Sequence, residues 1–317
     1  MRLVVAGSPA AAVPTLRRLA ASDHEVVAAL TRPASPQGRK RVMTPTPVSS
    51  VAAELGIPVI EATRVDDEVT ARIAELDVDL GVIVAYGALL RRAALDTPRH
   101  GWVNLHFSDL PEYRGAAPVQ RAVLAGDRVT AATVFQLVEA LDAGPVFATS
   151  PFTIDPEATS GDVLATMADL GADVVADVVD GIADGSAVAV AQTGTPTLAP
   201  KLTIDDGRVR FDRPSAAVHA HVRGVTPEPG AYAYVGEQRV KIQRVALVAP
   251  EGGRTGGTSS SDASLAPGAL RLDGARLVVG ATDGVVELVE VQPAGKTPMA
   301  GAAWARGLGD LEGVSFA

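Results

Sequence analysis

Apolar runs and amphipathic stretches take turns through the first half of the chain. The runs 3–6 (LVVA), 25–30 (EVVAAL), 58–62 (PVIEA), 78–85 (VDLGVIVA) and 101–107 (GWVNLHF) are short and mostly apolar at both side-chain parities, which predicts strands buried on both faces. Between them Val13, Leu16 and Ala20, then Val48, Val51 and Leu55, then Val65, Val69, Ile73 and Leu76 recur at three- and four-residue intervals. That spacing puts each set on one face of a helix, and Gly56 supplies a stop for the second. Strand and helix alternation of this kind predicts an α/β domain with a doubly wound, Rossmann-like parallel sheet.

The pattern continues with a helix over 116–125, where Pro118 is tolerated in the first turn, and strands over 130–138 and 144–152. A long helix is expected over 160–183, with Leu164, Leu170, Val174 and Val178 on its apolar side. Thr, Gly and Pro then accumulate, placing a linker at 191–206 between a first domain, 1–190, and a second, 207–317. The second domain reads as β-rich, with strands over 207–211, 230–236, 238–248, 275–281 and 284–292, and a small OB-like β-barrel is expected. Gly and Ser crowd 251–268 (EGGRTGGTSSSDASLAPG), which reads as a mobile loop inserted between two of these strands.

Composition narrows the classes. A chain of 317 residues with 47% hydrophobic and 21% charged residues suits two globular domains. With no cysteine there is neither a disulfide framework nor a thiolate metal site. His24, His100, His106, His219 and His221 form no H-E-x-x-H pattern, so no metal site is expected. The opening MRLVVAGSPAAAVPTL imitates a weak export signal, but Gly7, Ser8 and Pro9 break its apolar run after five residues. No stretch approaches the ~18 apolar residues of a membrane helix. A cytoplasmic location without membrane attachment is therefore expected. Net charge is −9, which argues against a surface that grips nucleic acid throughout. The excess is confined to residues 1–200, with 15 Lys and Arg against 24 Asp and Glu; residues 201–317 balance at 13 and 13.

The first strand is followed by Gly7 alone, not by the glycines of a dinucleotide fingerprint, and no G-x-x-x-x-G-K-[ST] loop exists. The chemistry concentrates elsewhere. Asn104 and His106 lie two apart at the end of a predicted strand, so they share a face at the edge where open α/β sheets bind ligands. An Asn amide can donate to a carbonyl oxygen as it becomes an oxyanion, and an imidazole exchanges protons near neutrality. Asp142, entering a Gly-Pro turn after another strand, could pair with the imidazole. Singly, each has a structural reading: a turn former, an imidazole with a packing role, a loop cap.

The stretches NLHFSDLPEYRGAAPVQRAVLAGD (104–127) and TVFQLVEALDAGPV (133–146) resemble the folate-dependent formyltransferase family. VVAGSP (4–9), TRPASPQGRKRVMTPTPV (31–48), VAYG (84–87) and APKL (199–202) extend the likeness along nearly the whole chain. YRGAAPVQ and the basic GRKR loop resemble the branch of that family that acts on tRNA. The resemblance implies transfer of a formyl group from 10-formyltetrahydrofolate, a co-substrate, to the amino group of methionine carried on initiator tRNA. It assigns catalysis to Asn104, His106 and Asp142, and folate binding to Ser108, Asp109, Leu110 and Pro111, with Gly87 of VAYG added. Asp109 stands where the family usually has Leu, and Phe107 where it commonly has a small residue. In the mechanism so implied, Asn104 and a protonated His106 stabilise the tetrahedral oxyanion while Asp142 holds His106, directly or through water.

The same resemblance turns Arg39, Lys40 and Arg41 from a solvated basic cluster into an expected contact for the tRNA acceptor end. Arg208, Arg210, Arg213, Arg239, Lys241 and Arg244 alternate along predicted strands and would form a phosphate-contacting stripe. A monomer is expected. The rival readings are a sugar-nucleotide N-formyltransferase, sharing donor and catalytic trio, and a non-catalytic RNA-binding relative.

Overall fold

The structure, a computed structural model, describes residues 1–38, 40–248 and 265–317. Arg39 and positions 251–264 of the inserted segment lie outside the described residues. The chain divides into two compact units, one of Met1–Pro118, Val129–Thr153 and Leu164–Lys201, the other of Val119–Arg128, Ile154–Val163 and Leu202–Ala317. Residues 190–201, expected in or beside a linker, thus fall in the first unit.

In chain order the elements through residue 184 are β1 (Arg2–Gly7), α1 (Val13–Ala20), β2 (Glu25–Thr31), β3 (Ser35–Gln37), β4 (Val42–Thr44), α2 (Pro47–Glu54), β5 (Val59–Glu61), α3 (Asp67–Ala74), β6 (Leu80–Val84), α4 (Arg92–Leu95), β7 (Trp102–His106), α5 (Pro118–Ala125), β8 (Val129–Gln136), β9 (Val146–Thr153) and α6 (Ser160–Asp184). Helix starts follow local chemistry. Thr46 accepts from the Ser49 amide ahead of Pro47 in α2, and Asp66 accepts from the Val69 amide to begin α3. Val65 therefore precedes its helix, and Leu55 ends up 41% exposed just past α2.

Seven strands form one sheet in the order β5-β2-β1-β6-β7-β8-β9. The first five pair in parallel, as expected of a Rossmann-like sheet, and β7 with β8 and β8 with β9 add an antiparallel edge that the sequence reading did not specify. Alternating apolar runs could not reveal this, because a strand buried on both faces reads the same in either direction. The order reverses between β1 and β6, and the cavity described below opens one strand further along, at the carboxyl ends of β6 and β7. Strand β7 is held tightly in place. Gly81 of β6 lies where a Cβ would come within 2.2 Å of the Trp102 indole, and the Trp102 Nε1 donates to the Ala94 carbonyl at 2.7 Å. On the opposite parity of β7, Gly171 of α6 leaves room for Leu105, whose Cδ2 would lie 2.6 Å from an added Cβ. The buried seam of α6 runs through Val163, Met167, Val175 and Val179, with Leu164, Leu170 and Val174 half-buried at its margin. Of the expected apolar set Val178 is buried, and the other three flank a seam on which small residues such as Gly171 sit.

Beyond residue 201 the elements are α7 (Ser215–Gly224), β10 (Tyr232–Val235), β11 (Gln238–Leu247), β12 (Leu270–Asp273), β13 (Arg276–Gly280), β14 (Val285–Pro293), β15 (Met299–Ala300) and α8 (Gly301–Leu308). The sheet is antiparallel, ordered β10-β11-β14-β13-β12 with β15 beside β14. Its two edges are joined by the last residues: the Ala317 amide donates to the Tyr234 carbonyl of β10, while the Leu270 amide of β12 donates to the Val314 carbonyl. Phe316 stacks between Phe211 and Trp304 at the centre of this half-barrel core. The expected strand 207–211 is an extended segment with one bridge, Arg208 to Tyr232, though its alternation holds: Val209 and Phe211 are buried, Arg208 and Arg210 exposed. Helices α7 and α8 escaped the sequence reading, since HAHVRG and GAAWARG carry short, polar-interrupted apolar sets. Among the described residues no helix is long and apolar enough to cross a membrane.

Gly81→Ala forces Trp102 off a fixed hydrogen bond in a packed core, where overpacking typically costs about 1–3 kcal/mol. A lower urea midpoint at unchanged m is the expected result; an unchanged midpoint would show that β7 has slack.

Candidate active site

The carboxyl ends of β6 and β7 and the segment that follows β8 enclose a cavity of about 610 Å³ lined by Asn104 and His106 from β7, Tyr86 and Gly87 after β6, and Leu141 and Asp142 after β8. All three expected catalytic residues therefore meet at one cavity. Asn104 is half-buried, and its carboxamide has no hydrogen-bond partner among the described residues, which leaves both amide hydrogens available to a ligand. His106 is 5% exposed and Asp142 9%.

The imidazole is held from one side. Nε2 of His106 lies 2.9 Å from the Tyr113 carbonyl oxygen, which can only accept, so Nε2 carries a hydrogen and the neutral ring presents Nδ1 as the free acceptor. Nδ1 faces Asp142 Oδ2 at 3.9 Å, too far for a direct hydrogen bond. The Asp142 carboxylate is anchored elsewhere, accepting from the Gly115 amide at 2.7 Å. Burial holds the His106 pKa below the usual imidazole value, while the Asp142 charge and the Tyr113 bond pull the other way. Burial thus favours the neutral form of the resting ring, the desolvation of an imidazolium in so dry a site outweighing a carboxylate 3.9 Å away.

Backbone strain gathers around the same residues. Ala85 (φ 49°) and Asp142 (φ 44°) line the cavity, and Tyr113 (φ 57°), which fixes His106, is also left-handed. Such conformations in non-glycine residues cost of order 1–3 kcal/mol each and persist where neighbours over-determine them. Gln192 supplies one such constraint: its Nε2 donates to the Asp142 and Gly144 carbonyls, both at 2.8 Å, and its Oε1 accepts from Arg114 at 2.6 Å. Arg32 supplies another, donating to the Gly87 and Tyr86 carbonyls. Neither residue was picked out from the sequence. Single polar side chains far from the motif in sequence carry no periodicity to betray them.

The four-residue loop expected to hold folate does not line the cavity. Ser108 is fully buried and donates to the Glu112 carbonyl at 2.6 Å, Leu110 is buried, Asp109 points to solvent and Pro111 is half-buried; Gly87 does line it. The Asp109 departure thus falls outside the cavity, whereas Phe107 forms part of its wall. The basic loop is a β3–β4 hairpin rather than an irregular connection, with Lys40 and Arg41 exposed and Val42 and Met43 each 60% exposed beside them.

In the second unit the basic residues are unevenly free. Arg210 is paired with Asp212 at 2.7 Å, and Arg244 stands across from Glu290. Arg208 lies over the Tyr234 ring and Arg239 over Tyr232 at 3.7 Å. Arg213 and Lys241 are exposed, and a bulge at Gln243 keeps Lys241 and Arg244 both outward while Val240, Ile242 and Val245 stay buried.

Comparison with known proteins bears on the fold and on the family. Residues 1–179 match the formyl transferase family and 201–309 its C-terminal domain. The chain belongs to the formyl transferase family. A methionyl-tRNA formyltransferase of Arthrobacter sp. (strain FB24) is 53% identical over 317 residues, all of both chains, and that of Mycolicibacterium vanbaalenii is 46% identical over 310 residues, 97% of each. Among solved structures, WlaRD, a sugar 3N-formyl transferase with dTDP and 5-N-formyl-THF present, matches with TM-score 0.66 at 15% identity, covering 94% of this chain and 99% of that one. Methionyl-tRNA formyltransferase from Clostridium thermocellum matches with TM-score 0.55 at 14% identity, covering 78% and 94%. At such identities these structures bear on the fold alone.

His106, His219 and His221 are all held below the ordinary imidazole value, with burial the largest cause in each. A depressed imidazole binds its proton more weakly folded than unfolded, so its contribution to stability is present above the unfolded value of about 6.5 and is lost as pH falls below it. Urea midpoints are expected to hold near pH 7 to 8 and decline from about pH 6.5 downward; a flat profile to pH 5 would count against three neutral rings.

Proposed function

We propose that the protein transfers the formyl group of 10-formyltetrahydrofolate to the amino group of methionine on initiator methionyl-tRNA, preparing that tRNA for translation initiation. The observation that carries this reading is the likeness, 53% identical from end to end, to a methionyl-tRNA formyltransferase. The chemistry suits the site. The uncharged amine attacks the formyl carbon; the free Asn104 carboxamide donates to the developing oxyanion; the neutral His106 takes the amine proton on Nδ1 and returns it to the leaving folate nitrogen. One C–N bond forms and one breaks, with no net proton change. Asp142 matters once Nδ1 is protonated, when its charge stabilises the imidazolium.

The apolar walls at Tyr86, Leu90 and Val138 suit a planar heterocycle, and the residues around the cavity supply the few polar groups that would orient it. Ser108 to Pro111 would then support the folate site from behind, by carrying the chain from His106 to Tyr113. For the macromolecular partner, residues 1–190 carry transfer, Arg39, Lys40 and Arg41 meet the acceptor end, and residues 207–317 contact the tRNA through Arg208, Arg210 and Lys241. The protein acts as a cytoplasmic monomer.

The test is formyl transfer to methionyl initiator tRNA with free methionine and an amino-sugar nucleotide as parallel acceptors. Transfer confined to the charged tRNA is expected; transfer to the sugar would overturn the acceptor while keeping the site. Asn104→Ala should lower turnover by about 10²–10³-fold, the usual loss for one oxyanion donor, in a protein that still folds. Affinity for tRNA should fall steeply between low and physiological salt, and a flat response would remove the arginines and lysines from the interface.

A further inference from the structure

Residues 190–199 behave as part of the catalytic machinery's frame. Val190 exchanges both backbone hydrogen bonds with Val146, and the Arg114 and Ala199 backbones bond to each other, so the segment is fixed at two points on the first unit. Between these points it reaches both members of the His106 and Asp142 pair. Thr197 Oγ1 accepts from the amide of Tyr113, whose carbonyl holds His106 Nε2. Gln192 bonds to the carbonyl of Asp142 itself, to that of Gly144 two residues on, and to Arg114, the residue before the Gly115 amide that anchors the Asp142 carboxylate. Gly115 can approach this segment only because it lacks a Cβ, which would stand 2.8 Å from the Ala199 carbonyl oxygen.

We propose that Gln192 is a positioning residue for the transfer reaction, clamping the left-handed Asp142 and the loop of Gly115 so that the carboxylate stays facing His106 Nδ1. The proposal rests on the function given above for its kinetic consequence but not for its structural one. A glutamine suits the task because one planar group offers two donors and an acceptor together, here spread over three backbone or guanidinium partners. Without the clamp the Asp142 φ of 44° loses a constraint that offsets its strain, and the carboxylate is free to swing from the imidazole.

The test uses the full chain carrying Gln192→Met, which keeps the volume and removes the bonds to all three partners, with Gln192→Ala as a second variant should the first fold poorly. Asp142 is the group whose charge raises the His106 affinity for protons; the other charged groups lining the cavity are Glu139 and Arg114. The expected results are a His106 imidazole that titrates at lower pH than in the unmodified protein, followed by NMR, and a kcat lower by about tenfold to a hundredfold with KM for both substrates little changed, as displacement of a catalytic group by about 1 Å produces. A lowered melting temperature with the His106 titration and kcat unchanged would assign Gln192 to stability alone and overturn the proposal. Because the imidazole titration needs no turnover, it judges the clamp even if the unmodified protein fails to formylate methionyl-tRNA, a result that would sink the function and leave this inference standing or falling by itself.

Discussion

One hydrogen bond, from His106 Nε2 to the Tyr113 carbonyl, decides what the site can do. It fixes the tautomer, turns Nδ1 toward the cavity, and ties the ring to a loop that bends back only seven residues later. The rest of the first unit can be understood as holding that pair. Strand β7 brings His106 to the crevice, Trp102 and Leu105 lock β7 between Gly81 and Gly171, and the Tyr113 loop is secured by Ser108 from within and Thr197 from outside. A ring so buried is neutral at rest, so its charge appears only when chemistry delivers a proton, and the Asp142 carboxylate waits at 3.9 Å for that moment.

This arrangement explains why strain is concentrated where it is. Ala85, Tyr113 and Asp142 adopt a backbone conformation that side chains disfavour, and each lies at or one bond from the cavity wall. The stabilising contacts are all polar and come from distant parts of the chain: Arg32 to the carbonyls beside Ala85, Thr197 to Tyr113, Gln192 to Asp142. Rigid side-chain placement is thereby obtained from loops, which on their own position groups less accurately than helices or strands do.

The sequence made the framework legible to different depths. Periodicity found the buried strands and most helices of the first unit because each buries a regular face, while the exposed β3 and β4 and the short α4 gave no such signal; Asn104 and His106 could be placed on one face from their spacing alone. Strand direction was not legible for β8 and β9, since full burial erases the alternation that distinguishes sheet types. In the second unit, barrel closure by residues 314–317 left no signal either: it is made of backbone bonds, and GVSFA has no pattern. The same holds for residues 190–199. A Gly-, Thr- and Pro-rich stretch reads as a linker whether or not its backbone is bonded to a neighbour, because composition reports the lack of regular structure and not the lack of contacts.

Acceptor choice is a different matter from the transfer itself. The fold is shared with a sugar 3N-formyl transferase, at a TM-score above that for a solved methionyl-tRNA formyltransferase, so the fold does not discriminate. Discrimination has to come from surface that a small nucleotide sugar would never touch. The β3–β4 hairpin exposes Lys40 and Arg41 together with Val42 and Met43, a mixture suited to a partner offering both phosphate and stacked bases and poorly suited to water alone. An acidic first unit can afford such a partner because the attraction is local: at physiological salt charges more than about 8 Å apart are largely screened, so the carboxylates elsewhere on the unit do little to repel a strand lying on that hairpin. Net charge therefore bears on the protein's behaviour towards nucleic acid in general, and the contact proposed for Lys40 and Arg41 does not depend on it.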